Sequence, residues 1–219
     1  MHTYVKLLQE ISGRYAPSRI LSFDMAHVLK AFQLMEDNDH ISRELLCHEL
    51  NLGEGSIKTL IKHLKMHNVV ETSNVGTVMS SKGKKIFNHL QSCIPTECVI
   101  PYCSIAIGRY NYAVLVKNLR YAVRSGLEQR DAAIKIGALG ATTLFYVNRK
   151  FRIAGSTYDA LRTEPSIRRL LLDKLKPEEM DVIIIGSDEL DPRIAEHAAK
   201  TAALVTLMDH EKHGKYEFS

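Results

Sequence analysis

The 219-residue chain has no tryptophan, only four cysteines and six prolines, and no long apolar run. Each shortage excludes something. Uninterrupted hydrophobic stretches such as Val182–Ile185 reach no more than about five residues, against the roughly 20 that a membrane-spanning helix needs. Lys6, Gln9 and Glu10 break the first segment, MHTYVKLLQEISGRY, so it has no signal-peptide hydrophobic region. A cytoplasmic protein without a membrane partner is the expectation. Cys47, Cys93, Cys98 and Cys103 match neither the paired C-x2-C ligands of a zinc ribbon nor a secreted disulfide framework. We expect free thiols that bind no metal. None of the ten histidines forms H-E-x-x-H, and neither a G-x-S-x-G elbow nor a Walker loop occurs. With no catalytic constellation and no cofactor motif, the chain reads as a non-enzyme.

Charge is what the sequence does have, and it is unevenly placed. The net charge is only +4, yet between Gly55 and Ser92 six lysines (58, 62, 65, 82, 84 and 85) stand against one acid, Glu71. A basic patch confined to one segment is the electrostatic footprint of a polyanion site. The bland alternative is a solvated lysine face, so the decision rests on architecture.

Residues 1–94 carry mostly helical signals. Met25, Val28, Leu29, Phe32 and Met35 follow helical spacing behind Ser22 or Asp24 as N-cap, and Ser42 can cap RELLCHEL. After the glycines of LNLGEGS, Ile57, Leu60, Ile61 and Leu64 form one buried stripe, with Lys58, Thr59, Lys62 and Lys65 facing away. NVVET and TVMSS flank SNVG as a hairpin, and SKGKKIFNHLQSC follows as an amphipathic helix. Helix, helix, tight elbow, helix, hairpin, helix is the winged helix-turn-helix order. On that reading Gly53 and Gly55 relieve backbone crowding at the elbow, and the third helix buries one face while the other enters the major groove of duplex DNA. Lys58, Thr59 and Lys62 would then face the bases, Ser56 a phosphate, and Lys65 the backbone. Ser73, Asn74 and Thr77 of the hairpin would touch phosphate or minor groove, with Lys82, Lys84 and Lys85 adding charge nearby.

CIPTECVIPYCSIAIGR (93–109) reads as a linker or extended connection, which places a domain boundary near residue 95 and a second domain at 95–219. There YAVLVKN, ATTLFYVN, KFRIA and DVIIIGS are strand-like, and GLEQRDAAIKIGA, PSIRRLLLDKL and DPRIAEHAAKTAALVTLM are helical. A mainly antiparallel sheet with helices on one face, a two-layer α/β domain, fits this order. The whole chain is therefore expected to be α+β in two domains. Arg130 and Asp131 could clamp a small-molecule effector, although an internal ion pair is the preferred reading. Ser187 and Asp188 follow a buried strand, where ligands bind in parallel sheets. The alanines at 195, 198, 199, 202 and 203 make a small-residue face suited to close packing on the sheet or to a second copy.

The stretch ELNLGEGSIKTLIKHLKMHNVVETSNVGTVMSSKGKKIF resembles the N-terminal winged helix of an archaeal family of uncharacterised proteins described as transcriptional regulators. GLEQRDAAIKIGALGATTLFY (126–146) and DVIIIGSDELDPRIAEHAAKTAAL (181–204) resemble that family's C-terminal domain of unknown function. That domain is similar in fold to the GAD insertion domain of bacterial aspartyl-tRNA synthetases. The resemblance implies a DNA-binding regulator whose C-terminal domain senses an effector or forms a homodimer. The alternative it leaves open is a winged-helix interaction protein in an RNA or translation-linked assembly.

Overall fold

The computed structural model describes residues 2–14 and 21–214. They form an α+β protein with eight α-helices and two antiparallel sheets, and the chain divides into two compact units, 1–90 and 91–219. Among the described residues no helix is long and apolar enough to cross a membrane.

In the first unit, α1 (His2–Ile11), α2 (Met25–Glu36), α3 (Arg43–Leu50) and α4 (Glu54–Met66) precede a hairpin of β1 (Val70–Thr72) and β2 (Thr77–Met79), and α5 (Ser81–Cys93) follows. Local chemistry starts these helices. The Asp24 carboxylate accepts from the amides of Ala26 and His27, and the His27 ring returns to the Asp24 amide, a closed capping box. Ser42 Oγ accepts from the Leu45 amide at 3.0 Å, and Ser80 Oγ from the Gly83 amide at 3.1 Å. Ile57, Leu60 and Leu64 of α4 are buried with Phe32, Leu46, Ile86 and Leu90, the core of this unit. His63, on the same helix, is buried with its Nδ1 2.7 Å from the Ile11 carbonyl oxygen, and it meets Phe23 edge-on.

The turn between α3 and α4 differs from the expectation. Its left-handed residue is Asn51 (φ 53°), the C-cap of α3, and not a glycine. Gly53 is an extended N-cap and Gly55 lies in the first turn of α4, and a Cβ at either would meet nothing within 4 Å. Neither glycine relieves crowding. The glycine that does is Gly83, where a Cβ would stand 2.1 Å from the Val69 carbonyl oxygen and α5 could not approach the hairpin.

The second unit is built on a five-stranded sheet, ordered β3 (Glu97–Ile100), β4 (Tyr110–Val116), β7 (Val182–Asp188), β5 (Gly140–Val147), β6 (Lys150–Ile153), with every pair antiparallel. Asn148 and Arg149, both at positive φ, close the β5–β6 hairpin. Both faces of the sheet are covered, which corrects the two-layer reading. On one face Ala113, Leu115, Leu144, Ile183 and Ile185 pack with Ile167, Leu171 and Leu175 of α7 (Pro165–Leu175). On the other lie α6 (Leu127–Lys135) and α8 (Pro192–Gly214). The alanine face of α8 packs on β7 so closely that a Cβ at Gly186 would meet the Ala195 carbonyl oxygen at 2.3 Å. Residues 93–109 are an extended connection and not a free linker: they supply edge strand β3, and Cys103 and Ile105 are buried in the α7-side core. Pro101 ends the strand without unseating the segment.

Candidate nucleic-acid interface

The cationic face of α4, the start of α3 and the hairpin loop enclose an open groove of about 650 Å³. Among the described residues its wall carries Arg43, Lys58, Lys62 and Lys65 and no carboxylate, with Ser73 and Asn74 at the hairpin end. Helical spacing creates the cationic wall: positions 58, 62 and 65 share the surface opposite Ile57, Leu60 and Leu64. A bond between helix and hairpin sets the width, since Lys65 Nζ donates to Thr72 Oγ1 at 3.0 Å. The hairpin is also fixed from its other side. Ile41 and Thr77 exchange backbone hydrogen bonds, both 2.9 Å, which ties β2 to the residue preceding the α3 cap.

The other expected contact residues are distributed as follows. Ser56 and Thr59 are half-buried on α4, and the Thr59 hydroxyl donates to the Gly55 carbonyl at 2.8 Å. Lys58 makes an exposed i,i+4 pair with Glu54 at 3.7 Å, a weak restraint. Ser73 and Asn74 are exposed at the loop, where Ser73 Oγ accepts from the Val75 amide. Thr77 lines the groove but is only 4 % exposed, and its backbone bridges to Ile41. Lys82 donates to the His67 carbonyl at 2.9 Å, away from the groove wall, and Lys84 and Lys85 are exposed on α5. Burial lowers the His67 imidazole below its ordinary pKa.

Arg43 was missed by the sequence reading. It stands in the first turn of α3, where a cation opposes the positive end of the helix dipole. That local cost is the signal that could have marked it.

In the second unit, Gly140 stands between the expected effector residues: it pairs with Ser187 in the sheet, and a Cβ there would meet Arg130 Cγ at 3.4 Å. Arg130 and Asp131 form an exposed ion pair at 3.1 Å on α6. The Ser187 side chain is fully buried and donates to Asn111 Oδ1 at 2.7 Å. Asp188 accepts from the amides of Leu190 and Asp191, shaping the turn into α8. β7 also lies in an antiparallel sheet, so the strand-end argument borrowed from parallel sheets does not hold. What the sequence did not disclose here is a buried charge cluster. Lys200 is 2 % exposed, with Nζ 2.6 Å from Glu196 Oε1 and 3.0 Å from Glu97 Oε1, and the Tyr112 hydroxyl donates to the same Glu97 oxygen at 2.9 Å. Burial and the Glu97 charge push the Tyr112 pKa far up. All four cysteines are free thiols, and burial raises the pKa values of Cys93, Cys98 and Cys103, that of Cys98 to about 11.

Two family models match this chain. Residues 107–207 match the domain of unknown function DUF4443, and residues 28–85 match the PH0730-like N-terminal domain. The stretches 126–146 and 181–204 fall within the first match, and 49–87 overlaps the second. Among solved structures, the chain is similar to the hypothetical protein PH0730 from Pyrococcus horikoshii OT3, with a TM-score of 0.67 and 24% identity over 84% of this chain and 93% of that one. At that identity the likeness speaks for the fold alone. No curated protein matches. Neither family description names an activity.

Proposed function

We propose that this protein is a cytoplasmic transcriptional regulator that binds duplex DNA, and that its first unit is a winged helix. In this reading α3 and α4 are the helix-turn-helix pair, α4 lies in the major groove, and the β1–β2 hairpin is the wing against the sugar-phosphate backbone. The observation that carries the proposal is the groove wall of four cations without a carboxylate. A polyanion site keeps acids away from its bases; the nearest ones, Glu44 and Glu54, line a neighbouring pocket beside Arg43 and Lys58 and not the groove itself. α4 has 13 residues, so at about 1.5 Å per residue its exposed face can follow the major groove for several base steps. Lys58 and Lys62 are the base-facing cations, and the Thr59 methyl is suited to a thymine methyl. Arg43 and Lys65, at the two edges of the wall, are the phosphate contacts. The second unit acts as the sensor or dimerisation module of a non-catalytic protein.

The test is fluorescence anisotropy of the full chain on a random duplex and on a structured RNA of equal charge, between about 50 and 200 mM salt. Four neutralised phosphates give a log–log salt slope of about −3.6. The double variant Lys58→Glu/Lys62→Glu should lose duplex binding and keep its circular dichroism and melting temperature. Unchanged affinity in that folded variant would reject the proposal, and preference for the RNA would favour the translation-linked alternative.

A further inference from the structure

The outer face of α6 is unusual for a helix of this second unit. Leu127 and Ile134 are each about half exposed and stand seven residues apart, which offsets them by only about 20° around the helix. Arg130 and Asp131, exposed to the same degree, lie between them, one on each flank of the apolar line. Two more half-exposed residues extend the patch: Ile107, which with Arg130 and Ile134 surrounds Gly140, and Leu139, whose amide donates to the Ser187 carbonyl at 3.1 Å. Apolar residues on either side of the Arg130–Asp131 pair, with one positive and one negative flank, make a surface with a stated complement.

We infer that this face binds the same face of a second copy of the chain, with the two α6 helices side by side and parallel about a two-fold axis. The charges choose both the partner and the direction. A two-fold interface presents one patch to itself, so each residue must suit what symmetry places opposite it. In the parallel arrangement Leu127 meets Leu127 of the other copy and Ile134 meets Ile134. Each Arg130 then lies on the same flank as the other copy's Asp131, so the pair that each copy makes within itself is exchanged across the axis twice. In the antiparallel arrangement the flanks instead bring Arg130 to Arg130 and Asp131 to Asp131, which opposes association. Flanking charges set orientation in paired helices by this means. The strip is short, so the interface is smaller than the about 1,600 Å² of a standard complex and the dimer dissociates on dilution. The inference rests on the reading of the second unit as a dimerisation module and is separable from DNA binding, because no residue of the groove takes part in it.

Sedimentation velocity of the full chain over a dilution series up to about 100 µM reads the association directly. The wild type should dimerise reversibly. Arg130→Asp and Asp131→Arg should each weaken the dimer about tenfold or more, since each places like charges together twice, and the double reversal R130D/D131R should restore it. Under mild oxidation, the Leu127→Cys variant should crosslink to itself, with peptide mapping locating the bridge between the two copies of position 127, where Cα atoms about 6 Å apart permit it. Circular dichroism confirms that each variant is folded. A wild type that stays monomeric, single reversals without effect, a double reversal that fails to restore the dimer, or no crosslink at 127 would each overturn the inference.

Discussion

The Lys65 ammonium donates to the Thr72 hydroxyl at 3.0 Å, joining the last turn of α4 to the first strand of the hairpin. One side chain thus contributes charge to the groove and also holds the groove open at a set width. The two roles separate by mutation. Thr72→Val removes the bond and no charge, so it should cost less than about 1 kcal/mol of stability and weaken duplex binding several-fold without changing the salt slope. Lys65→Ala removes a cation as well and should flatten the slope by about 0.9. Anisotropy titrations at several salt concentrations distinguish the two.

Gly55 and Gly83 should respond to alanine in opposite directions. Nothing lies within 4 Å of a Cβ at Gly55, and alanine favours the helix by up to about 1 kcal/mol there. At Gly83 a Cβ would overlap the Val69 carbonyl oxygen, and shifting that backbone should cost about 1–3 kcal/mol. Urea denaturation of the two variants gives the comparison.

Asn51 holds the left-handed turn between α3 and α4. Asn51→Gly should be neutral or slightly stabilising, while Asn51→Val should lose about 1–2 kcal/mol, the cost of left-handed backbone to a residue with a branched Cβ. Thermal unfolding reads both.

Lys200→Met should be among the most damaging single changes in the second unit. It leaves Glu97 and Glu196 packed together without the ammonium between them, which should cost about 3–5 kcal/mol. Calorimetry would show a lowered melting transition. A wild-type transition would mean that the carboxylates reach solvent without the lysine.

Cys98 should be slow toward thiol reagents. Burial raises its pKa to about 11, so at pH 8 it holds more than about a hundredfold less thiolate than an ordinary cysteine. Its labelling rate should rise roughly tenfold per pH unit until the pH approaches that pKa, as long as the fold persists. Labelling followed by mass spectrometry measures this site by site.

Much of the first unit was legible because its signals are local. The stripe Ile57, Leu60, Ile61 and Leu64, the Ser42 cap and the SNVG turn depend on residues within a turn or two of one another. The misread positions depend on distant partners. Thr77 looks like a fully exposed hairpin residue, yet it lines the groove at only 4 % exposure beside its bridge to Ile41. The glycines of LNLGEGS looked like the relief of a tight turn, yet Asn51 takes the strained conformation and the crowding lies at Gly83. Residues 93–109 carry two prolines and look like a connector, but Glu97–Ile100 pair with β4 and Cys103 fills the core beneath.

The sequence by itself determined most of the helices and strands other than β3, the apolar stripe of α4, and that positive charge concentrates between Gly55 and Ser92. Periodicity and caps suffice for this because backbone geometry repeats over a few residues. Only the tertiary structure decided that Arg43 joins Lys58, Lys62 and Lys65 on one wall, that the central sheet is covered on both faces, and that Lys200 lies buried between Glu97 and Glu196. Those outcomes require segments far apart in the chain to meet. Burial and electrostatic pairing belong to the contact and not to either residue alone.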